Sequence, residues 1–117
     1  MGLQGQRVVV IGGTAGIGLA VAEGAAREGA RVVVASRRQE SVDAALKVLP
    51  EGVEGQVLDA TDEGAVRGFF TRVGAYDHLV YTAGDSLLLE TLAGTDIAAA
   101  RSFLDTRLWG AYAAVKY

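Results

Sequence analysis

The chain has no cysteine, one histidine, one proline and one tryptophan among its 117 residues. Without cysteine, neither a disulfide framework nor a thiolate metal site can form, and a single histidine leaves little for a metal cluster. Positive charge is also scarce. Eleven Lys and Arg against 14 Asp and Glu give a net charge of −3, with the signs scattered, so no basic stripe offers itself to nucleic acid. No apolar run reaches the ~20 residues of a membrane span, and the opening Met1-Gly2-Leu3-Gln4-Gly5-Gln6-Arg7 does not have the form of a signal peptide. The expectation is a cytoplasmic protein with neither a membrane nor a nucleic-acid partner. No internal linker, low-complexity tract or charge block divides residues 1–117, and a chain of this length suits one domain burying roughly 65% of its unfolded surface.

What the chain does have is glycine in a particular place. Val8-Val9-Val10-Ile11 is a run of β-prone residues suited to a strand buried on both faces of a parallel sheet. It empties into Gly12-Gly13-Thr14-Ala15-Gly16-Ile17-Gly18 and restarts as a helix. Glycines let a ligand approach the backbone where side chains would obstruct it, and the new helix aims its free N–H groups and positive dipole end at the same point. That is a phosphate site and implies a nucleotide cofactor; the alternative is a tight turn with no ligand. A Gly-x-Gly-x-x-Gly fingerprint would need glycine where Val21 stands, and a Walker-type loop is excluded by Leu19-Ala20. The spacing present is Gly12-x-x-x-Gly16-x-Gly18.

Strands alternate with helices along the remainder, which predicts parallel pairing through right-handed crossovers. The first strand covers about Arg7 to Ile11, and the helix from Gly16 to about Glu28 ends at Gly29. Arg31-Val32-Val33-Val34-Ala35-Ser36 is a second strand. Val42, Ala45, Leu46 and Leu49 form one apolar helical stripe before Pro50. Gly55 to Leu58 is a weaker third strand and belongs nearer an edge. Thr61 is a candidate cap for a helix carrying Asp62 and Glu63 in its first turn and Val66, Phe69, Phe70 and Val73 on its buried face. His78-Leu79-Val80-Tyr81 is the fourth strand. This order gives an α/β, doubly wound, Rossmann-type parallel sheet of strand order 3-2-1-4, with a ligand across the strand C-termini.

The Gly-x-x-x-Gly-x-Gly spacing closing a first strand resembles the short-chain dehydrogenase/reductase family, with Ile11 where the family usually has Thr. The resemblance implies a nicotinamide dinucleotide held by Gly12, Thr14, Ala15, Gly16, Ile17 and Gly18. At the end of the second strand, an NAD-selective protein would place a carboxylate on the adenine ribose. Here Ser36-Arg37-Arg38 stands instead, and guanidinium groups suit the 2′-phosphate of NADP(H). A solvated arginine pair is the alternative, although cations at a helix N-terminus oppose its dipole. By resemblance, Asp59 would accept from the adenine amine with Ala60 along the base, unless Asp59 is only a turn or capping residue. Tyr81-Thr82-Ala83-Gly84 replaces the family's Asn-Asn-Ala-Gly, so Thr82, Ala83 and Gly84 join the cofactor set while the bracing asparagine amide is lost.

From Thr95, the expected cap, to Tyr117 only Gly110 interrupts helical character, which predicts a single helix of about 34 Å at ~1.5 Å per residue. Ile97, Ala100, Phe103, Leu104, Leu108, Trp109, Ala111, Tyr112 and Val115 cover most of its circumference, so it should be buried on more than one side. In the family the corresponding helix packs on a partner subunit, which implies a homo-oligomer through residues 95–117. Asp105-Thr106-Arg107-Leu108-Trp109-Gly110 resembles the family's Asp-x-Asn-x-x-Gly and puts Arg107 at the position of an active-site asparagine. Tyr112 and Lys116 spell Tyr-x-x-x-Lys on one helical face, as proton donation would require. No serine-bearing strand precedes them, so packing is the expected role.

The resemblance covers nearly all of this chain but about half of a family member, whose serine and tyrosine-lysine pair would lie further on. The expected function is therefore that of the cofactor-binding half of an NADP(H)-dependent oxidoreductase moving hydride between nicotinamide and a carbonyl or alcohol substrate, with no turnover of its own. A non-catalytic NADP-binding or assembly module is the alternative, and an anion-binding scaffold a third reading.

Overall fold

The computed structural model describes residues 2–84 and 90–117. Four strands, β1 (Arg7–Ile11), β2 (Arg31–Ser36), β3 (Glu54–Val57) and β4 (His78–Tyr81), form one parallel sheet in the order β3-β2-β1-β4. The expected topology is thus the observed one. Between the strands run α1 (Gly16–Arg27), α2 (Gln39–Val48) and α3 (Glu63–Val73). Beyond β4, α4 (Ile97–Leu104) passes into a π-helical segment, Asp105–Gly110, and then α5 (Ala111–Lys116).

Alternation along the central strands divides the core in two. Val8 and Val10 of β1 with Val32 and Val34 of β2 meet Ala22 and Ala25 of α1, and Ala45 and Leu49 from α2 and its cap. Val9, Ile11, Val33 and Ala35 face the other way onto Val66, Phe69, Phe70 and Val73 of α3 and Ala114 of α5. Burial on both faces is why these strands read as unbroken apolar runs. Phe69 is fully buried and meets Phe70 edge to face at 5.0 Å between ring centroids.

Several local expectations need correction, each for a visible reason. β3 lies one residue earlier than expected, although the Leu58 amide still donates to the Ser36 carbonyl at 2.8 Å. Asp62, not Thr61, caps α3: its Oδ1 accepts from the Ala65 amide at 3.1 Å, while the Thr61 hydroxyl donates backwards to Asp59. The same substitution of roles occurs at α4, where Asp96 accepts from the Ala99 amide at 3.1 Å and the Thr95 hydroxyl donates to the Thr91 carbonyl. Asp62→Ala should therefore cost about 1 kcal/mol. Thr61→Ala should leave the cap intact, and equal shifts of the urea midpoint for the two would contradict this assignment.

The last helix departs most from expectation. It is three segments rather than one. Only Gly110 and Ala114 are buried in it, whereas Ile97, Leu108, Trp109, Tyr112 and Val115 are exposed. Its inward side meets α3 and the core cluster through Ala114, and the end of β4 through the Tyr81 hydroxyl, which donates to the Thr106 carbonyl. Among the described residues no helix is long and apolar enough to cross a membrane.

Candidate functional site

A cleft of about 290 Å³ opens across the C-terminal ends of all four strands. It is lined by segments from every crossover: Gly12, Thr14 and Ala15 after β1, Ser36, Arg37 and Arg38 after β2, Leu58 and Ala60 after β3, Thr82, Ala83 and Gly84 after β4. Such a crevice at the strand termini, where chain order reverses between β1 and β4, is where doubly wound sheets bind ligands.

The glycine turn is built from close backbone contacts. At Gly12, with φ of 93°, a Cβ would lie 2.6 Å from the Ala83 nitrogen and 2.7 Å from Thr82 Oγ1. A Cβ on Gly18 would collide with the Gly12 carbonyl oxygen. Both glycines therefore let α1 and the end of β4 settle against the turn. Gly16 differs, because its φ is 53° and a Cβ there would meet nothing within 4 Å. The open space lies beside the first turn of α1, whose N-cap Ala15 provides no side-chain acceptor. Uncapped amides, a positive dipole end and room above them fit a phosphate group.

Thr82 replaces the lost asparagine amide in part. Its hydroxyl donates to the Gly12 carbonyl at 3.2 Å, tying the end of β4 to that of β1. At the other end, Arg38 is the N-cap of α2 and gives no side-chain cap bond. Among the described residues that line the cleft, none is acidic. A ligand anion is what Ser36, Arg37 and Arg38 can recognise there.

Asp59 is engaged within its own turn. Its Oδ1 accepts from both the amide (2.9 Å) and the hydroxyl (2.6 Å) of Thr61, closing a turn, and it is not among the residues lining the cleft. The Thr61 hydroxyl first, then its amide, hold the Asp59 carboxyl below its ordinary range, and Arg37 adds a smaller pull in the same direction. A depressed folded-state pKa means that this contribution to stability is complete above about pH 4 and fades as acid protonates the folded carboxyl. Gly16, Ile17 and Gly18 also stand behind the lining, as the first turn of α1.

Five lining residues lie outside the set expected from the sequence: Ile11, Ala35, Ser41, Leu58 and Thr106. Ser41 lies three residues after Arg38, the helical spacing that would have revealed it. Leu58 simply prolongs β3. Thr106 carries no local signal; it lies in the π-helical segment Asp105–Gly110.

Arg107, in the same segment, stacks its guanidinium 3.9 Å from the Phe103 ring centroid. A Cβ on Gly84 would stand 3.0 Å from one of its nitrogens, so Arg107 lies beside the β4 end of the cleft. Tyr112 and Lys116 lie elsewhere. They line a second pocket of about 480 Å³ with Glu63, Asp105 and Trp109. The Lys116 ammonium is 3.9 Å from Glu63, and the Tyr117 hydroxyl donates to that same carboxylate. Tyr117, ahead of Glu63, raises the Lys116 pKa.

The sheet order and the terminal crevice together define the Rossmann-type class. The chain belongs to the short-chain dehydrogenase/reductase family, since the sequence model of the short chain dehydrogenase family matches residues 6–116. A short-chain dehydrogenase/reductase of an Acremonium species is 40% identical over 107 residues, covering 77% of this chain and 40% of that protein. Human L-xylulose reductase is 38% identical over 101 residues, covering 86% of this chain and 41% of its own length. Among solved structures, a short chain dehydrogenase/reductase family protein superposes with a TM-score of 0.93 at 31% identity, over 99% of this chain and 49% of that one. An actinorhodin polyketide ketoreductase variant solved with NADPH gives 0.83 at 29% identity, over 96% and 45% of the two chains. The chain thus spans less than half the length of these relatives.

Proposed function

We propose that residues 1–117 form the dinucleotide-binding half of an NADP(H)-dependent reductase or dehydrogenase acting on a carbonyl or alcohol substrate. The observation that carries this reading is the pairing of an uncapped α1 N-terminus and open Gly16 with Ser36, Arg37 and Arg38 at the far end of one cleft. The first fits a pyrophosphate and the second a ribose 2′-phosphate. When bound, the dinucleotide would supply hydride to a carbonyl or accept it from an alcohol; the chain's own residues would bind and orient it. The amides of the Gly12–Gly18 turn would hold its phosphates, Leu58 and Ala60 would flank the base, and Thr82, Ala83 and Gly84 would back its reactive end. Calorimetric titration with NADPH and NADH tests the reading, and equal affinities would end it. The exposed Ile97, Leu108, Trp109, Tyr112 and Val115 support self-association through the last helices.

A second reading, a binding module without turnover, is favoured by the placement of Tyr112 and Lys116 outside the cleft-lining residues. A proton donor must come within about 3.2 Å of the substrate oxygen or act through one water. Tyr112→Phe should therefore leave both NADPH affinity and background oxidation of NADPH by simple carbonyl compounds unchanged. Clear turnover that vanishes in this variant, with folding and binding intact, would make the pair catalytic.

A further inference from the structure

The helical stretch after β4 is interrupted at one place, and the interruption has a partner. Tyr81 ends β4, and its hydroxyl donates to the Thr106 carbonyl inside the π-helical segment. A Cβ on Gly110 would collide with that hydroxyl and stand 3.1 Å from the Ala60 carbonyl. The tip of the phenol thus fills the space that a side chain at position 110 would need. π-helical turns are rare and usually isolated, so a carbonyl within one gains from an outside donor. Burial pushes the phenol up to about 12, which keeps it a donor at any ordinary pH.

The two residues that follow from this geometry both border the cleft. Thr106 lines it, and Arg107 stacks on Phe103 beside Gly84. They stand at the β4 end, across the glycine turn from Arg37 and Arg38. With the 2′-phosphate at the arginines and the pyrophosphate at the turn, the nicotinamide half falls at this opposite end. Regular α-helix here would shift the helical phase by about 100° for each residue of offset and carry Thr106 and Arg107 away from it.

We infer that Tyr81 is a positioning residue: its hydroxyl holds the π turn that presents Thr106 and Arg107 to the nicotinamide end of the cleft. This rests on the dinucleotide reading above. The residue stands where the family resemblance places an asparagine, so the device belongs to this chain's own combination of Tyr81 with Gly110.

Tyr81→Phe keeps the ring and removes only the donor. Trp109 is the one tryptophan and lies in the same turn, so its emission reports on it directly. The expected result is a changed Trp109 emission and an NADPH affinity about three- to tenfold weaker, the range for one lost hydrogen bond. Adenosine 2′,5′-bisphosphate lacks the nicotinamide half and should bind within twofold of its original affinity. Equal losses for both ligands would mean general loosening and overturn the proposal, as would an unchanged emission. Gly110→Ala should alter the emission strongly in the original chain and less in Tyr81→Phe, where the colliding oxygen is gone; equal effects in both backgrounds also overturn it. If neither ligand binds the unsubstituted chain, the dinucleotide reading falls by itself. The emission of Tyr81→Phe then still decides whether this hydroxyl holds the turn.

Discussion

Gly18→Ala is expected to destabilise the chain by at least about 2 kcal/mol, even though alanine is the better helix former by ~1 kcal/mol. The added methyl would collide with the Gly12 carbonyl oxygen and lie 2.6 Å from Thr82 Oγ1, so α1 must lift off the turn it seals. Lifting it would loosen Ala22 and Ala25 from Val8, Val10 and Val34 beneath. Gly16→Ala is the instructive contrast. Its φ of 53° costs a non-glycine residue roughly 1–2 kcal/mol, but the methyl would meet no protein atom within 4 Å. It should instead intrude where a phosphate is read to lie and weaken NADPH binding tenfold or more, an effect of about 1.4 kcal/mol. Urea unfolding and calorimetry on the two variants separate the roles. A Gly18→Ala chain as stable as the original would refute the packing argument, and a Gly16→Ala chain with full affinity would move the phosphates elsewhere.

The same contrast explains how far the sequence alone could be read. The four strands, their order and the glycine turn were legible because each is written locally, in runs such as Val32-Val33-Val34-Ala35 and in the spacing of Gly12, Gly16 and Gly18. Helix caps were less legible where two capping residues stand together. In Thr61-Asp62 and in Thr95-Asp96 the threonine hydroxyl turns back to an earlier acceptor and leaves the aspartate to cap, a choice set by what precedes it. At Asp59 the turn role offered by the sequence is visible, since its Oδ1 accepts from Thr61 two residues away.

Long-range causes were not legible at all. The apolar circumference of the last helix implies burial on more than one side, one of them on a partner subunit, and in the single chain Trp109 and Val115 face outward. Nothing within residues 95–117 announces the π segment. Its counterpart, the Tyr81 hydroxyl, is contributed by a strand 25 residues earlier. Thr106 lines the cleft from a helix that starts beyond β4, a placement no local pattern announces, whereas Thr82 stands at a strand end.

The other large effect is expected at the arginines. Charge-assisted hydrogen bonds are worth about 1.5–3 kcal/mol, so a 2′-phosphate held by Arg37 and Arg38 should favour NADPH over NADH by roughly ten- to a hundredfold or more. Replacing both by alanine should bring the ratio close to one, by weakening NADPH while leaving NADH nearly unaltered. Two features of the structure are compatible with a bound anion there. Arg38 sits at the N-terminus of α2, where a cation opposes the dipole and an anion is favoured. The described lining of the cleft contains no carboxylate to accept an adenine ribose hydroxyl, as an NAD-selective site would require. The preference should also shrink as salt is raised, because both side chains are exposed and screening at ~1 M salt acts within about 3 Å. NADPH and NADH affinities measured for the original chain and the double variant, at low and high salt, check all of this. A preference that survives the loss of both guanidinium groups would show that some other residue reads the 2′-phosphate.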